Sequence, residues 1–575
     1  MEEKHQGQVS PDHRTNVEEP QKQHEQKAKI AKPVSRRGFL ARVGGVAAAS
    51  IAVDSLDLAR LGGGTAVAEA DEIGPDKPKK RRDRAFDIRR RVAKFQRDFP
   101  LPDHPDNGDE ALFATKIGSY SKALPHNNLG EVDLSAYSAL IAALTSGDPN
   151  AFEALPQGGS VKQVDPQAAF AFSLEGPDSH QLATIAPPTF SSQEEASEIG
   201  ELYWQALTRD VPFVEYDTDP LTQAAAVDLS KFSIFKGPKA GGVVTTGTLF
   251  RGATPADLIG PYISQFLWKN IPYGAQTIVQ QYRVPMEGND FITSYADWLS
   301  CQKGFPPTAS ITFDTVTRYI SNGRDLTEYV HRDFTYQAFL NAALILLSLG
   351  GAALDDANPY KAAAKQGGFI TFGAPHILDL VTRVANEALK AAWYQKWLVH
   401  RRVRPEAFAG HLHNHKIGAA SYPIHPEILN SPVLAAVFSK YGTYLLPQAY
   451  PEGCPTHPSY PAGHAAIAGA CTTVLKAFFK ETFVIPNLVV ANADGTALDP
   501  YTGPELSTGG ELDKLAANIA IGRDAAGVHW RSDGIEGIKL GEAVAIGILT
   551  DFRSTYNEFF GGFSLTKFDG STITV

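Results

Sequence analysis

Three segments of the 575-residue chain concentrate side chains that could handle an oxyanion. Lys396 and Arg404 lie in Lys-Trp-Leu-Val-His-Arg-Arg-Val-Arg-Pro, residues 396–405. His457 and His464 bracket His-Pro-Ser-Tyr-Pro-Ala-Gly-His, residues 457–464. Arg523, His529 and Asp533 lie in Gly-Arg-Asp-Ala-Ala-Gly-Val-His-Trp-Arg-Ser-Asp, residues 522–533. Lys396, Arg404 and Arg523 supply three positive charges, and the planar guanidinium fork suits tetrahedral oxyanions. Gly463 supplies a backbone N–H at the start of a helical pattern, where unpaired N–H groups and the helix dipole favour an anion. His464 and His529 add an acid–base group and an apical ligand or nucleophile. Singly, each element is weak, since most basic residues on helices are solvated charges. Jointly they describe a pocket for phosphate or a phosphate mimic.

The elements that must position these residues are helices. Small and apolar residues near an i, i+3, i+4 period predict helices over Phe334–Leu349, Pro375–His400, His464–Phe479 and Ile535–Phe552. Pro461-Ala462-Gly463 punctuates the start of the third. Long Ala-rich helices with small faces suit helix-on-helix packing. Alternating strand patterns are few, and Gly241–Phe250 is the best hairpin candidate. Residues 77–97 are strongly basic, with Ala85, Phe86, Ile88, Val92 and Phe95 interleaved at helical spacing, which predicts an amphipathic helix. Residues 100–330 mix helical pieces with Pro- and Gly-rich connections.

The order of the three segments resembles the superfamily that joins vanadium-dependent haloperoxidases to a class of acid phosphatases. Its pattern is Lys-spacer-Arg-Pro, then Pro-Ser-Gly-His, then Ser-Arg-x5-His-x3-Asp; here five residues separate Arg523 from His529 and three separate His529 from Asp533. Seven residues between Lys396 and Arg404, and His457 ahead of Pro-Ser-Tyr-Pro, are similar to the algal and cyanobacterial bromoperoxidase branch. So are the stretches at Arg84–Arg91, His104–Glu110, Ile117–His126, Tyr203–Val211 and Trp393–Trp397, so that the likeness runs from about residue 80 to the end. The resemblance implies a mainly α fold of helical-bundle architecture, two four-helix bundles with few short strands, over residues 71–575. Residues 330–575 would carry the oxyanion-binding core.

The same resemblance implies vanadate as cofactor, one per subunit, hydrogen peroxide and halide as substrates, and a homo-oligomer built as a dimer or a multiple of dimers. His529 would coordinate vanadium; Lys396, Arg404, Gly463 and Arg523 would hold the vanadate oxygens. His464 would act as acid–base group toward peroxide, Lys396 would also draw charge from it, and His457 would tune halide choice or protonation. Asp333 is either a carboxylate that orients a histidine or half of a surface ion pair. Two positions depart from the pattern. Ala462 replaces the serine of Pro-Ser-Gly-His, removing a hydroxyl from the cofactor, and Gly522 replaces the serine before Arg523. The same cage would also serve an exported acid phosphatase with His529 as nucleophile, and Ala462 leaves room for an inactive oxyanion-binding shell.

Composition sets the context. Ser35-Arg36-Arg37-Gly38-Phe39-Leu40, a modest apolar stretch over Ala41–Val53 and small residues at Ala66-Val67-Ala68 resemble a twin-arginine export signal, which predicts removal of roughly the first 70 residues and a periplasmic or extracellular protein. The apolar run is too short for a stable membrane span. Net charge is -10, and an acidic balance argues against nucleic acid as a partner. Sulfur is scarce: three Cys and two Met, with Met286 the one internal thioether. Scarce sulfur suits a protein that lives beside an oxidant. Cys454 and Cys471 are expected to be buried or bridged. His411-Leu-His-Asn-His415 could suggest zinc, although no carboxylate or Cys completes a motif. The acidic clusters Asp103–Asp109 and Asp355-Asp356 could hold a structural calcium ion, although neither has EF-hand spacing.

Overall fold

Four helices that are small on the faces they share set the architecture. The computed structural model describes residues 78–575, and the expected export segment lies outside the described residues. The longer helices are α1 (Pro78–Asp98), α2 (Leu134–Ser146), α3 (Gln193–Leu207), α4 (Pro220–Leu229), α5 (Gly323–Arg332), α6 (Gln337–Ser348), α7 (Ala374–Tyr394), α8 (Pro405–Lys416), α9 (Pro432–Tyr441), α10 (Gly463–Phe478), α11 (Thr508–Ala525) and α12 (Arg531–Arg553). Helix α10 is buried along its length and packs against α7, α11 and α12, forming the C-terminal bundle. The approach of α10 to α12 is close enough to need glycine. A Cβ on Gly541 would stand 1.8 Å from the Ala466 carbonyl oxygen, and one on Gly469 would stand 2.0 Å from that of Ile538. Backbones this near leave no room for a side chain between them, which is why Ala and Gly line the seam. A second helical group, α3, α4 and α9, lies against α11 through α3.

Strands are short and antiparallel: β1 (Ile271–Tyr273) with β2 (Gln276–Ile278), β3 (Tyr282–Pro285) with β4 (Phe313–Arg318), β5 (Val489–Ala491) with β6 (Leu498–Pro500), and β7 (Ser564–Thr566) with β8 (Thr572–Thr574). The molecule is mainly α, as its sequence implies.

The helices predicted from periodicity are present as α6, α7, α10 and α12, with shifted ends. Helix α12 begins four residues early because the Asp533 carboxylate, in its first turn, accepts the Trp530 N–H at 3.1 Å. Helix α7 continues into a π-helical turn over Gln395–His400, which Arg401 ends in the left-handed region at φ 41°. The hairpin expected over Gly241–Phe250 does not form. One isolated bridge joins Ala240 to Val243 across Gly241 and Gly242, and the chain then folds on itself, with the Thr245 N–H donating to the Thr248 hydroxyl at 2.9 Å instead of to a partner strand. Helix α1 covers the predicted basic segment, but Phe86 and Phe95 on its apolar side remain exposed.

Candidate active site

The three motif segments converge at the N-terminal end of α10. Lys396 sits in the π turn after α7, where the wider register of i→i+5 bonding accommodates the extra residue between it and Arg404. It is fully buried, and its Nζ donates to the carbonyls of Pro458 and Ser459 at 2.9 and 2.6 Å. Arg404 caps α8, with Pro405 as the first helical residue. Its guanidinium donates to the carbonyls of His457 and Val528 at 2.9 and 2.7 Å, to His529 Nε2 at 3.1 Å and to His457 Nδ1 at 3.0 Å. Arg523, in the last turn of α11, donates to the Val330 carbonyl at 2.8 Å while its buried Nε has no partner. Lys396, Arg404 and Arg523 form no ion pair with any carboxylate among the described residues.

Arginine can only donate, so the Arg404 contact at 3.1 Å fixes the His529 imidazole: its Nε2 must carry a lone pair. His457 Nδ1 stands between a donor and an acceptor, 3.0 Å from Arg404 Nη2 and 3.1 Å from the Pro458 carbonyl, with its Nε2 3.4 Å from the same Nη2. The other nitrogen of His529, Nδ1, lies 2.8 Å from Asp533 Oδ2 and donates to it. His529 is therefore a neutral imidazole whose basic nitrogen faces the cations. His457 packs on Trp393 with ring centroids 4.8 Å apart. His464, the second residue of α10, holds its Nε2 3.3 Å from Asp333 Oδ1, just past α5. Asp333 is thus paired with the histidine rather than with a surface cation. The N-cap of α10 is Ala462, which provides no side-chain acceptor, so the first N–H groups of the helix, Gly463 included, are uncapped. A cleft of about 600 Å³ borders this centre, lined by Phe291, Phe305, His331, Tyr450, His464 and Arg523 among others.

A buried cluster of this kind is unfavourable as it stands. Burial, followed by repulsion from Arg404 and Arg523, holds the Lys396 amine well below its ordinary range. Burial and then the neighbouring Arg404 and Lys396 also push His529 and His457 well below the usual imidazole range. Unpaired buried charges cost several kcal/mol apiece. An anion among them would remove that penalty, accept from the Arg523 Nε and complete the α10 terminus. The residues fit vanadate: three cations and helix N–H groups for its oxygens, and one oriented imidazole lone pair for the metal.

Comparison with known proteins agrees. The vanadium-dependent bromoperoxidase of Corallina officinalis is 36% identical over 561 residues, spanning 82% of this chain and 92% of that protein. The vanadium-dependent bromoperoxidase of Ascophyllum nodosum is 35% identical over 537 residues, spanning 88% of this chain and 96% of that protein. The chain belongs to the vanadium-dependent haloperoxidase family, in its bromoperoxidase branch. Residues 376–558 match the family model described as the VCPO second helical-bundle domain. The structure of the second vanadate-dependent bromoperoxidase of Ascophyllum nodosum, described as homohexameric, superposes with a TM-score of 0.83 at 31% identity, covering 87% of this chain and 91% of that one.

Several neighbours of the family centre escaped the sequence reading. Arg402, Glu195 and Glu198 lie behind His529, and Ser459 donates its hydroxyl to Asp533. Arg402 stands in the quoted Arg-rich run, but nothing in that run tells which guanidinium faces the pocket. Glu195 and Glu198 lie two hundred residues away on α3, with only their i, i+3 spacing as a signal. The weaker metal candidates separate. His411, His413 and His415 are on helix α8, where alternate residues diverge; the His413 and His415 Nδ1 atoms accept the Tyr444 and Tyr422 N–H groups, each at 3.1 Å. Asp356 pairs with Lys361 and Lys480, and Asp109 is spent on Asn107 and the Phe190 N–H. Among the described residues no group of three or more His, Cys, Asp or Glu is placed to hold a metal ion.

The depressed basicity of Lys396, His457 and His529 makes a prediction with a definite sign. An anion favours their charged forms, raises their pKa and draws in protons, so its affinity falls as pH rises. Sulfate keeps its own charge near neutral pH, so calorimetric titration in buffers of different ionisation heat will show net proton uptake at about pH 7. Binding with no proton exchange would refute this account of the cage.

Proposed function

We propose that the protein is an exported vanadate-dependent bromide peroxidase that uses hydrogen peroxide to oxidise bromide or iodide to hypohalous acid or its equivalent. The observation that carries this reading is the set of two buried guanidiniums and a buried lysine amine, none paired with a carboxylate, around an imidazole lone pair at an uncapped helix terminus. Bound vanadate supplies Lewis-acid activation of peroxide toward halide, without a change in oxidation state. The residues of the chain do the rest. His529 would present Nε2 to the metal because Asp533 holds Nδ1–H. Arg404, Arg523, Lys396 and the Gly463 N–H would hold the oxygens, and Lys396, once protonated beside the anion, would draw charge from peroxide. Asp333 holds His464 at Nε2, leaving Nδ1 to take and return the proton of peroxide. His457, kept neutral by burial and then by Arg404 beside it, bounds the halide side. Halide and peroxide enter by the cleft that His464 and Arg523 help to line.

We read the chain as a homo-oligomer, a dimer or a multiple of dimers; the homohexameric relative supports the homo-oligomer. The twin-arginine motif supports export, and no described helix is long and apolar enough to cross a membrane.

Three outcomes follow. Protein purified with orthovanadate will brominate a phenol dye in the presence of peroxide and bromide, and protein stripped of it will not. Vanadate-inhibited hydrolysis of a chromogenic phosphate without bromination would instead assign an acid phosphatase, and neither activity would assign an inactive shell. Ala462→Ser will tighten the vanadate Kd roughly tenfold to hundredfold, the worth of one hydrogen bond to a charged group at about 1.5–3 kcal/mol; an unchanged Kd would show that the missing hydroxyl does not set retention. N-terminal sequencing of exported protein will begin near residue 70, and a start before Ser35 would rule out the signal.

A further inference from the structure

Behind His529 lies a buried polar network of which only Asp533 enters the reaction described above. Asp533, fully buried, divides its two oxygens. Oδ2 accepts from His529 Nδ1 at 2.8 Å, from the Trp530 N–H at 3.1 Å and from the Ser459 hydroxyl. Oδ1 accepts from Arg402 Nη1 at 2.8 Å. The same Nη1 donates to Ser532 Oγ at 2.7 Å. The far nitrogen, Nη2, donates to Glu195 and, at 3.1 Å, to Glu198. Glu198 in turn accepts the Ser532 N–H at 3.0 Å and its hydroxyl at 2.8 Å. Among the described residues Arg402 is the only Lys or Arg paired with Asp533, and its plane lies over the Trp530 ring at 4.8 Å. Every charged member of the set is at least 98% buried.

This geometry does more than fill a core. A guanidinium has a rigid fork, so bonds at both ends fix its orientation. Helix α3 supplies the fixed end through Glu195 and Glu198, one turn apart, and the fork delivers a directed positive charge to Asp533. That carboxylate must remain an acceptor for His529 to hold its proton on Nδ1 and keep Nε2 basic. Burial raises both glutamates above the carboxylate range, Glu198 to about 7, so the pair can retain a proton and leave the Arg402 charge for Asp533. We infer that Arg402, anchored by Glu195 and Glu198 on α3, is the positioning residue that sets the His529 tautomer through Asp533, and thereby the affinity of the site for vanadate. The inference rests on the reading of His529 as the metal-facing ligand.

The experiment uses Arg402→Lys, which keeps the charge but loses the fork, beside Arg531→Lys. Arg531 makes a buried bidentate pair with Glu201 and does not touch Asp533. Two quantities are read in full-length protein: the His529 tautomer, by 15N NMR of histidine-labelled enzyme with the signal assigned by loss in His529→Gln, and orthovanadate Kd by calorimetry. Arg402→Lys is expected to mix the Nδ1–H and Nε2–H forms and to weaken vanadate at least tenfold. Arg531→Lys is expected to lower Tm while leaving both readouts as in the wild type. An unchanged tautomer and Kd in Arg402→Lys, or equal losses in the two variants, would overturn the inference. If Arg402→Lys does not fold, Ser532→Ala loosens the fork without removing a charge; a tautomer mixture with at least threefold weaker vanadate supports the inference, and wild-type values overturn it. A wild-type enzyme that binds no vanadate, with the tautomer still dependent on Arg402, would refute the functional reading and leave the positioning role standing.

Discussion

The structure is organised around basic groups that the protein buries and does not pair with acids. Lys396, Arg404 and Arg523 come from three helix ends, and they donate to backbone carbonyls, imidazoles and the Tyr450 hydroxyl rather than to carboxylates. Carbonyl dipoles orient cations without cancelling them, so the cluster keeps its field for an anion. The acids that might quench it are held one layer away. Asp533 is committed to His529 and Arg402, and Glu195 and Glu198 lie beyond that guanidinium. Separating cations from acids by the thickness of one imidazole is what makes the site a receptor for an oxyanion and not an internal salt bridge.

The bundle makes that separation affordable. Helices α10 and α12 meet backbone to backbone through Gly469 and Gly541, so their N-terminal ends, carrying Gly463–His464 and Ser532–Asp533, stay in fixed register. The Ala462 N–H donates to the Asp533 carbonyl at 2.9 Å, which ties the two helix starts directly. A flexible seam would let the cations relax toward water or toward the acids behind them. Close packing denies both.

The scarcity of sulfur has a structural counterpart. All three thiols are free and buried, and Cys454 and Cys471 occupy separate places, the first among Ala449, Tyr450 and Val528 and the second within α10, its thiol donating to the Val381 carbonyl at 3.4 Å. Cys301 lines the cleft, yet its thiol donates to the Glu452 carbonyl at 3.1 Å and burial pushes it up to about 12. Thiolates are the species that oxidise, so a thiol kept protonated is protected even beside the path of an oxidising product. Met286 is the exception, 49% exposed. Protection therefore falls on the cysteines, and the low count alone must serve for methionine.

The sequence by itself determined the residue set that meets in the site and the helices that carry it. Lys396, Arg404, Gly463, His464, Arg523 and His529 could be read from type and spacing because each lies at a helix boundary marked by Pro, Gly or a polar run, and such boundaries are local. The long apolar periods of α7, α10 and α12 were legible for the same reason, while the Gly241–Phe250 hairpin was misread because its turn chemistry continues into Thr245–Thr248 instead of into a second strand. Only the tertiary structure decided which nitrogen of His529 faces the cations, that Asp333 meets His464 and not a surface cation, and that Arg402 rather than Arg401 stands behind Asp533. Those outcomes depend on α3, α5 and the loop before α10 arriving together, with hundreds of residues between them in the chain. Hydrogen-bond direction and charge compensation are properties of neighbours in space, and no local spacing encodes them.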